Sequence, residues 1–175
     1  LDPHWILEYS DDFDYEGPDT FTIKPGFPVG PWVEEGPDSR WIAPHPDQGT
    51  GNAPGDYLYR ITFDLSEFDH ETATITGKWS SDNGGPDVLL NDESTGIKTT
   101  SGFGGFTEFE ITSGFVEGIN TVDFKVNNAP PGINPTGVRV ELNGTAKELP
   151  PKGTPPSITT QPIATTAPEG DSVSF

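Results

Sequence analysis

Apolar residues in this chain recur at every second position, and that period restricts the fold to strands with one face in a core and one in water. Tyr57, Tyr59, Ile61, Phe63 and Leu65 alternate with Leu58, Arg60, Thr62 and Asp64. Ala73, Ile75, Gly77 and Trp79 keep the same rhythm, as do Val122, Phe124 and Val126, then Val138, Val140 and Leu142. A helix would need a repeat near 3.6 residues, and 21 Gly and 19 Pro among 175 residues leave few stretches that could sustain one. Segments 4–8, 20–23, 32–34, 40–43, 87–91 and 106–112 read as further strands, separated by turn clusters at 82–86, 101–105 and 127–132. Many short strands with such punctuation predict an all-β, antiparallel β-sandwich of jelly-roll type. The one helical turn expected is 66–69, capped by Ser66. Tyr59, Phe63, Ile75, Phe124 and Val140 are expected to be buried, and Trp41 and Trp79 also read as core.

Charge narrows the partners. The chain carries 28 acidic and 9 basic residues, for a net charge of −19, a field that repels nucleic acid and anionic membrane surfaces. No run approaches the length of a membrane-spanning helix, so membrane insertion is not expected, and no signal peptide is visible at Leu1. The same acidity suits divalent cations, neutral glycans or plain solubility. Without cysteine there is no disulfide, thiol nucleophile or zinc thiolate. Nor is there a Gly-x-Ser-x-Gly elbow, and His4, His45 and His70 are scattered without zinc-binding spacing. The reading is therefore non-enzymatic.

Several stretches together resemble a domain recurrent in secreted multidomain bacterial proteins. They are Asp2-Pro3-His4-Trp5, residues 36–44, residues 57–65, Trp79-Ser80-Ser81-Asp82-Asn83, Leu89-Leu90-Asn91, residues 118–124 and residues 137–146. The order of strands and loops is similar to the galactose-binding-like jelly rolls, which include discoidin domains and many carbohydrate-binding modules. The resemblance implies an extracellular or cell-surface module. Its members often place Gly after Leu-Leu-Asn, where this chain has Asp92, so that turn is expected to differ.

Two kinds of site are expected. Asp12-Phe13-Asp14-Tyr15-Glu16-Gly17 alternates carboxylates before a glycine, like the front half of a calcium loop, although Ile23 at the twelfth position excludes an EF-hand. The jelly-roll resemblance implies a calcium between an early loop and a late strand, which points to Asp38 and Glu141. The ordinary alternative is a solvated acidic loop. For glycans, a sugar needs a flat apolar face and planar hydrogen-bonding groups. Asp82 and Asn83, Asn91, Phe103 and Phe106, Asn127 and Asn128, and Trp32 beside its loop fit that chemistry, while left-handed turns explain Asn83, Asn91 and Asn127 equally well. Phe103, between glycines, is the strongest candidate. Asn143-Gly144-Thr145 fits a glycosylation sequon or a turn at a terminal strand.

The chain divides into a module at 1–149, a proline-rich linker at 150–156, and a segment at 157–175 that looks like the opening strands of a bacterial immunoglobulin-like domain. That segment carries Ile158, Ile163, Val173 and Phe175, and an extended stretch of its kind can add a strand to an open sheet edge. Two functions are expected: binding of a polysaccharide or other glycan, or assembly with other copies of the chain into an extracellular filament through the tail.

Overall fold

The computed structural model of the protein describes residues 1–27, 30, 32–151 and 169. Its strands are β1 (Ile6–Ser10), β2 (Phe21–Thr22), β3 (Ile42–Ala43), β4 (Gly55–Asp64), β5 (Phe68–Asp82), β6 (Gly84–Leu90), β7 (Glu93–Ser94), β8 (Thr107–Ile111), β9 (Ile119–Asn128) and β10 (Gly137–Glu148). They form two five-stranded sheets, ordered β1-β4-β9-β6-β7 and β2-β3-β10-β5-β8. Every pairing is antiparallel. Four of them nest: β3 with β10, β4 with β9, β5 with β8 and β6 with β7. A single long hairpin rolled over on itself gives this pattern, and it is the jelly roll that the alternation predicts.

The alternating residues meet between the sheets as expected. Tyr57, Tyr59, Trp79, Phe124, Val126 and Val138 are wholly buried, with Ala73, Ile75 and Val122 beside them. Phe124 lies at the centre, with Trp5, Trp79 and Phe109 meeting its ring edge to face at 5.6, 5.2 and 5.7 Å. Gly77 is a packing requirement, because a side chain there would strike the Phe109 ring and the Glu141 carbonyl. Phe63 and Val140, expected to be buried, are only half-buried: Phe63 lines a cleft where the two sheets part, and Val140 borders a separate hollow beside Arg40 and Ile42.

Other local expectations change. Residues 66–67 make a turn and 68–69 already belong to β5, so the expected helical turn is absent: the Asp64 carboxylate accepts from both the Ser66 amide and its hydroxyl, at 2.8 and 2.6 Å. The one helical turn among the described residues is a 3-10 turn at Gly102–Gly104. Residues 32–34 form no strand. Asn143 lies within β10 and not at a turn. Asn91 and Asp92 join β6 to β7 with φ of 52° and 67°, so Asp92 takes the left-handed conformation that glycine would adopt more cheaply.

Candidate functional site

On the outer face of the β1-β4-β9-β6-β7 sheet the polar side chains are spent on one another. Arg60 makes a bidentate pair with buried Asp123, at 2.6 and 2.7 Å, and reaches Asp92 at 2.7 Å and Glu8 at 3.0 Å. Bonding to Asp123 and the surrounding carboxylates outweigh the desolvation of its guanidinium, which raises its pKa. Lys125 pairs with Asp56 at 2.7 Å, and Asp56 also accepts from Asn127 at 2.7 Å. Arg60, Lys125 and Asn127 are thus each engaged by carboxylates of the same face.

The opposite sheet is divided. Its upper outer face is roofed by the described parts of segment 23–41 and by loop 101–105. Ile23, Trp32, Trp41 and Ala43 form a second apolar cluster there, packed by Phe27, Val33 and Phe103. The Trp32 and Trp41 rings lie 4.4 Å apart, and the Val33 amide donates to the Phe103 carbonyl at 2.8 Å. Beneath this roof are the outward residues of β5 and β10. Ser80 donates to the Gly102 carbonyl at 2.6 Å, and Arg139 donates to Ser39 at 2.8 Å, to the Glu34 carbonyl and to Glu141 at 3.3 Å. Asp82 is 4% exposed, and its Oδ1 has no partner among the described residues. Burial pushes its carboxyl up to about 7, against a smaller opposing pull from the Trp32 indole.

Below the roof no described segment covers the sheet. A groove of about 760 Å³ crosses β8, β5 and β10, lined by Thr76, Lys78, Glu108, Glu110, Glu141 and Asn143 among others. Strand register puts these side chains in rows: Glu108 opposite Lys78 and Glu110 opposite Thr76, then Lys78 opposite Glu141 and Thr76 opposite Asn143. Lys78 pairs with Glu141 at 2.9 Å. Burial works against the Glu141 charge, but bonds from Lys78 and Ser39 hold its carboxyl below the ordinary value. The side chains of Thr76, Glu108, Glu110 and Asn143 have no hydrogen-bond or ion-pair partner among the described residues. Phe106 closes the upper end, its ring centre 4.7 Å from the Lys78 ammonium and 4.9 Å from the Arg139 guanidinium.

The residues singled out from sequence are scattered through this frame. Trp32, Asp82 and Asn128 are buried. Phe103 packs half-buried against the Trp32 cluster, and Phe106 borders the groove through Lys78. Asn83 accepts from the Ala129 amide at 2.7 Å, Asn127 is tied to Asp56, and Asn91 secures its turn by bonding Gly114, Asn120 and Thr121. Among the proposed metal ligands, Asp14 and Glu16 are exposed while Asp12 is buried and engaged. Burial opposes ionisation of Asp12, but bonds from the Ala53 amide, the Asn52 carboxamide and the Asp14 amide hold its carboxyl below the ordinary value. Asp38 is exposed, next to the Ser39 that donates to Glu141 at 3.0 Å. Among the described residues no three His, Cys, Asp or Glu side chains gather as a metal site would require. Ile158, Ile163, Val173 and Phe175, and with them the assembly reading, lie outside the described residues.

Sequence reading passed over a buried polar chain at one end of the sandwich. Asn52 donates to Asp12 at 2.9 Å, Gln48 donates to Asn52 at 3.1 Å and accepts from the Thr136 amide at 2.9 Å, and Thr136 donates to the Asp82 carbonyl at 2.5 Å. His45 completes it, presenting Nε2 to the Gly51 carbonyl at 3.1 Å and accepting from the Asp47 amide at Nδ1 at 3.2 Å. These residues tie loops together and offer no free group.

No protein-family model matches this chain, and no curated protein matches it. Among solved structures, similarity is found to a family 35 carbohydrate binding module from an environmental isolate, 14% identical, covering 63% of this chain and 80% of that one, with a TM-score of 0.37. It is also found to CBM35 from Paenibacillus barcinonensis, 10% identical, covering 81% and 93%, with a TM-score of 0.38. At such values the likeness adds nothing to what the strand order establishes.

Proposed function

We propose that this module binds a glycan without chemical turnover, through the bare groove across β8, β5 and β10, as part of a larger secreted or surface protein. The observation that carries the reading is the set of free planar and hydroxyl groups on a rigid three-strand floor: the Asn143 carboxamide, the Glu108 and Glu110 carboxylates and the Thr76 hydroxyl. Sugar hydroxyls are both donors and acceptors, and a carboxamide on β10 facing carboxylates on β8 across β5 answers both roles. Phe106, at the upper end of the groove, adds an apolar ring for sugar C–H groups. The floor is held by continuous β5–β10 pairing from Gly137 opposite Asp82 to Thr145 opposite Thr74, so its groups are fixed before a ligand arrives. A polysaccharide array tests the reading. Wild type should give signals that Asn143→Ala and Glu108→Gln each weaken about tenfold, about 1.4 kcal/mol, with melting temperature unchanged because both side chains are exposed. Signals that survive both substitutions would place the ligand elsewhere, and a silent array would remove the reading.

A further inference from the structure

The sandwich is closed by a polar chain at one end and open at the other. At the open end the sheets part over an apolar cleft of about 270 Å³, lined by Ile61, Phe63, Phe68, Phe115, Leu142 and Ala146 among others. These side chains face inward on their strands, as core positions do, yet Phe63 and Ile61 are half-buried and Leu142 is 36% exposed. Apolar side chains turned inward and left accessible mark a core that lacks one of its pieces. Engineered apolar cavities of roughly 150 Å³ accept a benzene ring, so this volume suits a phenyl group with an aliphatic neighbour.

The chain itself passes the mouth of the cleft. β10 lines it with Leu142, Gly144, Thr145 and Ala146 before running on to Glu148, which pairs with Phe68, another lining residue. The Leu149 amide then bonds the Glu67 carbonyl at 2.9 Å, and Pro150 and Pro151 come after it. Residues 152–175 are a polar segment with few large apolar side chains: Ile158, Ile163, Val173 and Phe175. We propose that the cleft is the docking site for this continuation of the chain, residues 152–175, through these apolar side chains, so that the module and its C-terminal segment form a fixed joint. Ile158 is seven residues beyond Pro151, a reach of roughly 23 Å when extended, ample for the chain to double back. A tethered segment meets the cleft at a local concentration of the order of millimolar, which favours it over a second copy or a free apolar ligand.

The proposal is independent of the glycan reading, and its test uses the full chain. Because the chain has no cysteine, Leu142→Cys provides a single thiol inside the cleft and Asn143→Cys a single thiol on the opposite face. Maleimide labelling is compared with the native tail and with Ile158, Ile163, Val173 and Phe175 all changed to Ser. The polar tail should speed labelling of the Leu142→Cys thiol roughly tenfold and leave the Asn143→Cys thiol unchanged. Equal rates at Leu142→Cys would overturn the proposal. So would protection that grows with protein concentration, which would make the occupant a second copy. Hydrogen exchange of the cysteine-free chain guards against disturbance by the introduced thiol: amides 72–75 and 142–146 should exchange faster with the polar tail, and unchanged exchange would equally overturn the docking.

Discussion

Replacing Asp82 by Asn removes a charge from beneath the Trp32 roof while nearly preserving shape. The native carboxyl is raised from 3.8 to about 7, so between those values the folded protein holds a proton that the unfolded chain has released. Stability from this group is therefore greatest in acid, falls as pH climbs from about 4 to 7, and is level above. A pKa unit corresponds to about 1.4 kcal/mol, so the wild type should lose about 2–3 kcal/mol through this group between pH 5 and pH 8. Asp12, Asp56 and Glu141 are held below their ordinary values and act in the opposite sense, their contribution being lost only as pH falls below about 4, outside the window. Urea denaturation of both proteins at pH 5, 6, 7 and 8 reads the effect. Asp82→Asn should gain on wild type by about 2–3 kcal/mol across that series, most of it before pH 7. Stability curves that run parallel would show that Asp82 is ionised at little cost in the fold, and the roof could then not be a dry cover.

Phe124→Ala should cost about 3–5 kcal/mol in chemical denaturation, because three aromatic rings converge on the side chain and cannot all collapse into its space. Gly77→Ala should destabilise by about 1–3 kcal/mol, since the added methyl meets the Glu141 carbonyl and the Phe109 ring, and a wild-type melting curve would refute that packing. Phe103→Ala should lower the melting temperature while leaving any array signal intact, because its ring supports the Trp32 cluster outside the groove. Melting in calcium and then in chelator should give coincident midpoints, since the Asp12 carboxylate is already bonded within the protein; a rise with calcium would restore Asp12, Asp14 and Glu16 as ligands.

The sandwich was legible because its signals are local: alternation at Tyr57, Tyr59 and Ile61 places side chains on faces whatever they later meet. The partners of those faces are not local. Asn127 and Asn83 have the chemistry of sugar ligands, but partners 71 and 46 residues away take their side chains. Phe103 looks stranded between glycines until Trp32 and Val33 are laid against it. In the opposite direction, Glu108, Glu110 and Asn143 pass in sequence for an ordinary solvated face, and only the register of three strands makes them a lined groove. Half-burial of Phe63 was also out of reach, since it depends on where two sheets diverge.

The nested pairing also sets an order of events during synthesis. Among the described strands β10 is the last made, yet it is the middle of its sheet and joins β3 to β5. Until residues 137–148 are available, β2 and β3 have no connection to the rest of their sheet, and β5 is paired only with β8. At about 5–20 residues per second, the nascent chain stays unclosed for roughly 7–30 s. Pairings so distant in sequence then form in milliseconds to seconds. The sandwich therefore closes only when β10 arrives, so premature termination before β10 should leave a protease-sensitive product and not a smaller domain.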